Sequence, residues 1–242
     1  DDPMRTVVER EFASFDGAPL FYRHWPVQAA ADAATPPKAV VLLHRGHEHS
    51  GRVMHLAEEL QLPDAQFFAW DARGNGRSPG ARGDAPGFDA LVRDLDSFIA
   101  HIGATHGIAV QDIVVIAQSV GAVVASTWVH DYAPPLRALV LASPAFKVKL
   151  YVPFARAGLA LMQALRGNFF VNSYVKPQWL THDPARVDSY RTDPLITRPI
   201  SVRVLLGLYA AGDRVVADAQ AITVPTLVLH GDDDQIVPIA DA

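Results

Sequence analysis

Apolar residues fall in short continuous runs separated by polar, glycine- and proline-bearing stretches. Ala39–His44 (AVVLLH), Gln66–Asp71 (QFFAWD), Asp112–Ala117 (DIVVIA), Leu136–Ala142 (LRALVLA) and Thr226–His230 (TLVLH) each predict a strand. Runs without polar alternation predict strands buried on both faces. Helical signals lie between them. Arg52–Leu60 and Gly121–His130 predict helices, and Phe88–Ile102 carries Leu91, Leu95, Phe98, Ile99 and Ile102 at helical spacing. Alternating strands and helices call for a mostly parallel sheet flanked by helices, an α/β class. Upstream, Val7–Phe15 and Leu20–Trp25 flank Asp16-Gly17, which predicts a hairpin. The Ala- and Pro-rich stretch Pro26–Lys38 predicts a surface loop.

One span breaks the alternation. From Phe146 to Asp213 no buried strand is predicted, and apolar or aromatic residues recur at helical spacing from Leu150 and Tyr151 to Phe169 and Phe170. The expected organisation is a core of residues 4–145 and 214–242 with a helical insertion over 146–213. The insertion can pack on the core, cap a site, or do both.

Composition narrows the classes. Half of the 242 residues are hydrophobic and 19% are charged, so a large core is possible. The net charge of −5 speaks against nucleic acid, which would want a clustered basic surface. The chain has no cysteine, which removes disulfides, thiol catalysis and Cys-based zinc sites. Asp1 to Pro3, before Met4, read as a cloning remnant, and no apolar segment follows to form a signal peptide. No apolar run reaches the ~18 residues that span a bilayer. The expected location is cytoplasmic.

The sharpest chemical feature is Ala117-Gln118-Ser119-Val120-Gly121, directly after one predicted strand and directly before a helix. A serine on such a turn is pushed outward at the carboxyl end of a sheet, as a nucleophile must be. The amides of the helix start favour a developing oxyanion there. The same serine could instead simply cap the helix. His44, His47, His49 and His55 invite a metal reading, but imidazoles must converge to bind one. His44, at a strand end, reads as a structural hydrogen-bonder. Asp71 and Arg73 read as structural too, holding their turn by local hydrogen bonds. No cofactor and no metal are expected.

Three stretches together resemble the monoglyceride lipase and lysophospholipase branch of the α/β hydrolases, a serine aminopeptidase S33-type group. They are His44-Arg45-Gly46-His47-Glu48-His49-Ser50-Gly51-Arg52, Asp71-Ala72-Arg73-Gly74-Asn75-Gly76-Arg77-Ser78 and the Ser119 pentapeptide. Leu180-Thr181-His182-Asp183-Pro184 and Asp193-Pro194-Leu195 add to the likeness. The resemblance implies an α/β-hydrolase fold with a helical cap, and a serine esterase acting on lipid-like esters through an acyl-enzyme. It implies Ser119 as nucleophile and Gly46 and Val120 as oxyanion-hole residues. In His230-Gly231-Asp232-Asp233-Asp234-Gln235-Ile236-Val237, the family motif selects Asp234 as triad acid, leaving Asp232 and Asp233 as a solvated loop. The cap, 146–213, would line the substrate site.

The sequence departs from the pattern twice. Arg45 and His47 stand where that family usually carries glycine. No histidine follows Asp234, although this fold places its catalytic histidine last. The expectation is therefore a fragment without its final strand, helix and histidine, inactive by itself. Two other functions stay open. One is a different hydrolase of the same fold, a small-ester carboxylesterase or an aminopeptidase. The other is a non-catalytic binding domain. The expected partner is a small-molecule or lipid ester; the sequence leaves oligomeric state undefined.

Overall fold

The computed structural model describes residues 4–28, 34–36, 38–146, 155–172, 178 and 182–230. The chain opens with a hairpin, β1 (Val8–Ala13) paired antiparallel with β2 (Pro19–Trp25). Its turn closes on Asp16, whose carboxylate accepts from the Ala18 amide at 3.1 Å. Strands and helices then alternate: β3 (Lys38–Leu43), α1 (Met54–Glu59), β4 (Ala65–Trp70), α2 (Phe88–His106), β5 (Ile113–Gln118), α3 (Val120–Tyr132) and β6 (Ala138–Ala142). Helix α6 (Val202–Ala217) runs from the end of residues 146–213 into the core, and β9 (Thr226–Leu229) follows it. The sheet order is β1-β2-β4-β3-β5-β6-β9, parallel from β4 onward. The antiparallel hairpin forms one edge.

Side chains alternate across the sheet, as a period of two requires. Val41, Leu43, Phe68, Val115, Ala117, Leu139 and Leu141 join a core with buried residues of α2, α3 and α6. Val40, Leu42, Phe67 and Ala69 face the other way, against Trp25 and the α1 residue Ala57. Burial of each such leucine or phenylalanine contributes about 1.5–3 kcal/mol.

The expectation of strands buried on both faces needs correction for the later strands. Val114, Ile116 and Val140 are half-buried, and Leu227, Val228 and Leu229 of β9 are exposed. The reason is coverage. Helices α2, α3 and α6 all pack on one face, whereas among the described residues the second face carries only α1, beside β3 and β4.

Within 146–213 the described elements are α4 (Ala155–Arg166), β7 (Phe170–Asn172), α5 (Pro184–Thr192), β8 (Pro199–Ser201) and most of α6. Leu150 and Tyr151 lie outside the described residues. The helical spacing did not predict the β7–β8 ribbon, in which Phe170 pairs with Ser201 and Asn172 with Pro199. Helix α4 buries none of its residues, and Leu161 and Leu165 are exposed. Helix α6 behaves differently. Leu205, Leu208, Tyr209 and Val215 are buried in the main core, and Arg203 at its start grips Asp84 through two hydrogen bonds of 2.9 and 2.7 Å.

Candidate active site

Ser119 is the single residue between β5 and α3, with φ 50° and ψ −115°. A serine is rarely found there, because its Cβ crowds the backbone; holding it costs about 1–3 kcal/mol. Neighbouring strands hold it. The Ser119 amide donates to the Ala142 carbonyl at 3.0 Å, and its carbonyl accepts from Ala122 and Ala145 at 3.0 and 3.2 Å. The register that pairs Gln118 with Ala142 thus fixes the turn from the side. The helix cap reading finds no support, since the Ser119 side chain makes no capping hydrogen bond.

The loop after β3 is pressed onto the start of α3. A Cβ on Gly46 would stand 2.9 Å from Cγ2 of Val120, and one on Gly121 would stand 2.6 Å from the His44 carbonyl oxygen. Both distances are shorter than real contacts, so glycine is required for this approach. Gly46, Ser119 and Val120 are thereby brought together. Asp234 lies outside the described residues.

Buried polar groups brace the loop. His44 donates from Nδ1 to the Arg45 carbonyl at 2.6 Å and accepts at Nε2 from the Ala72 amide at 3.0 Å. Burial lowers its pKa, so the ring is neutral and structural. Asp71, fully buried, accepts from the amides of Ser50 and Arg77 at 2.7 and 2.8 Å. It joins two loops rather than only its own turn. Arg73 reaches still farther. It makes two hydrogen bonds to Asp94 of α2 and two to Asp16 of the hairpin turn, all between 2.7 and 2.9 Å. Hydrogen bonding to Arg73 holds the Asp16 carboxyl down at about 2.

His44 and His49 spend their ring nitrogens on different protein partners. His49 accepts at Nδ1 from the Gly51 amide at 3.1 Å, which leaves its Nε2 proton to Asp193, 2.7 Å away in the insertion. The His47 carbonyl accepts from the Thr197 amide at 2.9 Å. Arg52 lies 3.6 Å from Asp193 and 2.9 Å from the Ser189 hydroxyl, with its guanidinium over the Tyr190 ring. Residues Ser189 to Thr197 are therefore latched to the loop after β3 by several polar contacts. Asp183 N-caps α5 through the Ala185 amide at 3.0 Å.

Sequence reasoning missed Glu48. Burial pushes its carboxyl up to about 7. Its Oε2 finds no hydrogen bond among the described residues, and the Arg45 guanidinium stands 3.9 Å off. The only sequence signal was its place between two histidines of the loop.

Comparison with known proteins follows the same outline. The profile of the family described as serine aminopeptidase, S33 matches residues 34–242. The uncharacterized protein YnbC of Escherichia coli strain K12 is 55% identical over 234 residues, 96% of this chain; the chain spans 39% of that relative's length. The monoacylglycerol lipase of Mycolicibacterium smegmatis is 30% identical over 246 residues, covering 97% of this chain and 82% of the relative. Among solved structures, the monoacylglycerol lipase of Paleococcus ferrophilus superposes with a TM-score of 0.77 at 25% identity, over 92% of this chain and 81% of that one.

Proposed function

The chain belongs to the serine aminopeptidase S33 family and has the α/β-hydrolase fold of its monoglyceride lipase-like branch, and from that premise we propose that it is a serine hydrolase cleaving carboxylic esters of lipid-like substrates. The observation that carries this reading is the strained turn at Ser119, set against Gly46 and Val120. In this reading the Ser119 hydroxyl attacks the ester carbonyl, and its proton passes to a general base. The carbonyl oxygen takes up negative charge beside the Gly46 and Val120 amides, the donors that would stabilise it in this reading. The alcohol leaves with a proton, and water then releases the acid from the acyl-serine. Asp234 would hold the imidazole that serves as base. In this reading the acyl chain lies against apolar surface of residues 146–213, where Leu161 and Leu165 of α4 are exposed.

The test is covalent labelling. The protein expressed from its full natural reading frame is treated with a fluorophosphonate, and the modified peptide is sequenced. Label on Ser119, lost in Ser119→Ala together with monoacylglycerol hydrolysis, is the expected result. Label elsewhere, or turnover that survives the substitution, overturns it. A protein that binds substrate analogues but is never labelled would instead support the non-catalytic reading.

A further inference from the structure

Arg45 stands at the tightest part of the site. The carbonyl of His44, before it, lies against Gly121, and Gly46, after it, lies against Val120. Its backbone is thus clamped on both sides, one loop's width from Ser119. Two donors fix its carbonyl, His44 Nδ1 at 2.6 Å and the Glu48 amide at 3.3 Å. The side chain is freer, 37% exposed, and reaches Glu48 only at 3.9 Å.

Nearby cations are better neutralised. Arg52 is held by Asp193 and Ser189, and Arg186 lies 3.5 Å from Glu59 and 3.8 Å from Asp183. Among the described residues Arg45 has one carboxyl for a partner, too distant to hydrogen-bond. That carboxyl is buried, and burial favours its neutral form. Arg45 therefore carries a partly solvated guanidinium, poorly compensated among the described residues, on a backbone that adjoins the groups assigned to the oxyanion. Burial lowers the proton affinity of half-buried His55, and the nearby charges of Arg186, Arg45 and Arg52 lower it further.

We propose that Arg45 determines specificity by binding a phosphate on the alcohol part of the substrate, so that the preferred esters are acylated glycerol phosphates rather than neutral monoacylglycerols. The proposal rests on the reading of Ser119 as nucleophile, which sets where the ester lies. A guanidinium suits this task because its planar fork meets phosphate oxygens in pairs. A phosphate also completes the ion pairing that Glu48 supplies only in part.

The experiment separates the two ideas by measuring binding apart from turnover. The Ser119→Ala protein is titrated with two non-hydrolysable ethers, a 1-O-alkylglycerol 3-phosphate and the matching 1-O-alkylglycerol, below their micelle concentrations. The phosphate ether should bind about tenfold more tightly at low ionic strength, and added salt should erode the difference. Adding Arg45→Gln should abolish the preference; Arg45→Lys should keep part of it, since it restores charge without the fork. Glycerol 3-phosphate should displace the phosphate ether better than inorganic phosphate does, which separates a lipid head group from a free anion. Circular dichroism checks that each variant is folded, and Arg45→Lys carries the test if Arg45→Gln is not. Equal affinity for the two ethers overturns the proposal, and so does a preference that survives Arg45→Gln. Turnover of p-nitrophenyl butyrate by the protein expressed from its full natural reading frame, with Ser119 intact, is scored separately. Its absence counts against Ser119 as nucleophile, while the ether titrations still decide the role of Arg45.

Discussion

Nε2 of His49 lies 2.7 Å from Oδ2 of Asp193, across 144 residues of sequence. His49 is buried and its other nitrogen already accepts a hydrogen bond, so Asp193 alone satisfies this proton among the described residues. Removing the acceptor leaves a buried donor unpaired, at a cost of about 1–3 kcal/mol. Asp193→Ala should therefore lower stability by that amount in urea unfolding. Asp193→Asn, which keeps an acceptor oxygen, should lose less than half as much. Equal losses in both variants would mean that the carboxylate charge matters more than the hydrogen bond.

Ser119 is strained wherever it has a side chain. Ser119→Gly should raise stability by about 1 kcal/mol, because glycine accepts a positive φ without a Cβ clash. Ser119→Ala should show no such gain, since alanine keeps the Cβ. Both should be inactive. Paired thermal melts check the contrast; identical melting temperatures for the two variants would show that the turn is relaxed.

Gly121→Ala should harm both fold and activity. The new methyl would meet the His44 carbonyl at 2.6 Å, and that backbone atom cannot rotate away. The loop must lift from α3, which costs about 1–3 kcal/mol. Moving Gly46 from its place should lower kcat about 100-fold, the scale of losing one oxyanion donor. KM and kcat measured together check this, since a loosened oxyanion hole lowers kcat while leaving ground-state binding largely intact.

Much of this arrangement was legible in the sequence, for a definite reason. Strands β3 and β5 and the Ser119 turn are local patterns, and AVVLLH, DIVVIA and AQSVG carry them within a few residues. The half-open sheet face was not legible, because burial of Val114 and Ile116 depends on what another part of the chain places over them. The β7–β8 ribbon has three residues per strand, too few to display a period. The His49–Asp193 bond joins residues whose separation gives no sequence signal. Glu48 looked like a polar loop residue, and only its burial makes it unusual.

Glu48 gives stability a distinct pH dependence. Its folded value, about 7, stands above its ordinary 4.5. A raised carboxyl favours the folded state fully below the unfolded value, and that advantage is lost as pH rises through the folded one. Stability should therefore fall between about pH 4.5 and pH 7, by up to about 3 kcal/mol, and then level off. Glu48→Gln should flatten this interval and be the more stable protein at pH 8. Denaturant midpoints across that range check it; a variant whose profile parallels the parent would assign the slope to other groups.

The strand order carries a final consequence. From β3 the chain winds outward through α1 to β4, then returns past β3 through α2 to lay down β5 on its other side. Helix α1 leaves on one face of the sheet, whereas α2 and α3 lie on the other. The direction of winding reverses between β3 and β5, and in open α/β sheets ligands bind outside the carboxyl ends of the strands at such a reversal. Gly46 and Ser119 follow the carboxyl ends of those two strands, where Leu43 is paired with Ala117. The position of the site is thus a property of connectivity, which would outlast replacement of the side chains around it. Substitutions at Arg45, Gly46 or Ser119 exchange the chemistry performed at an address that the path of the backbone has already chosen.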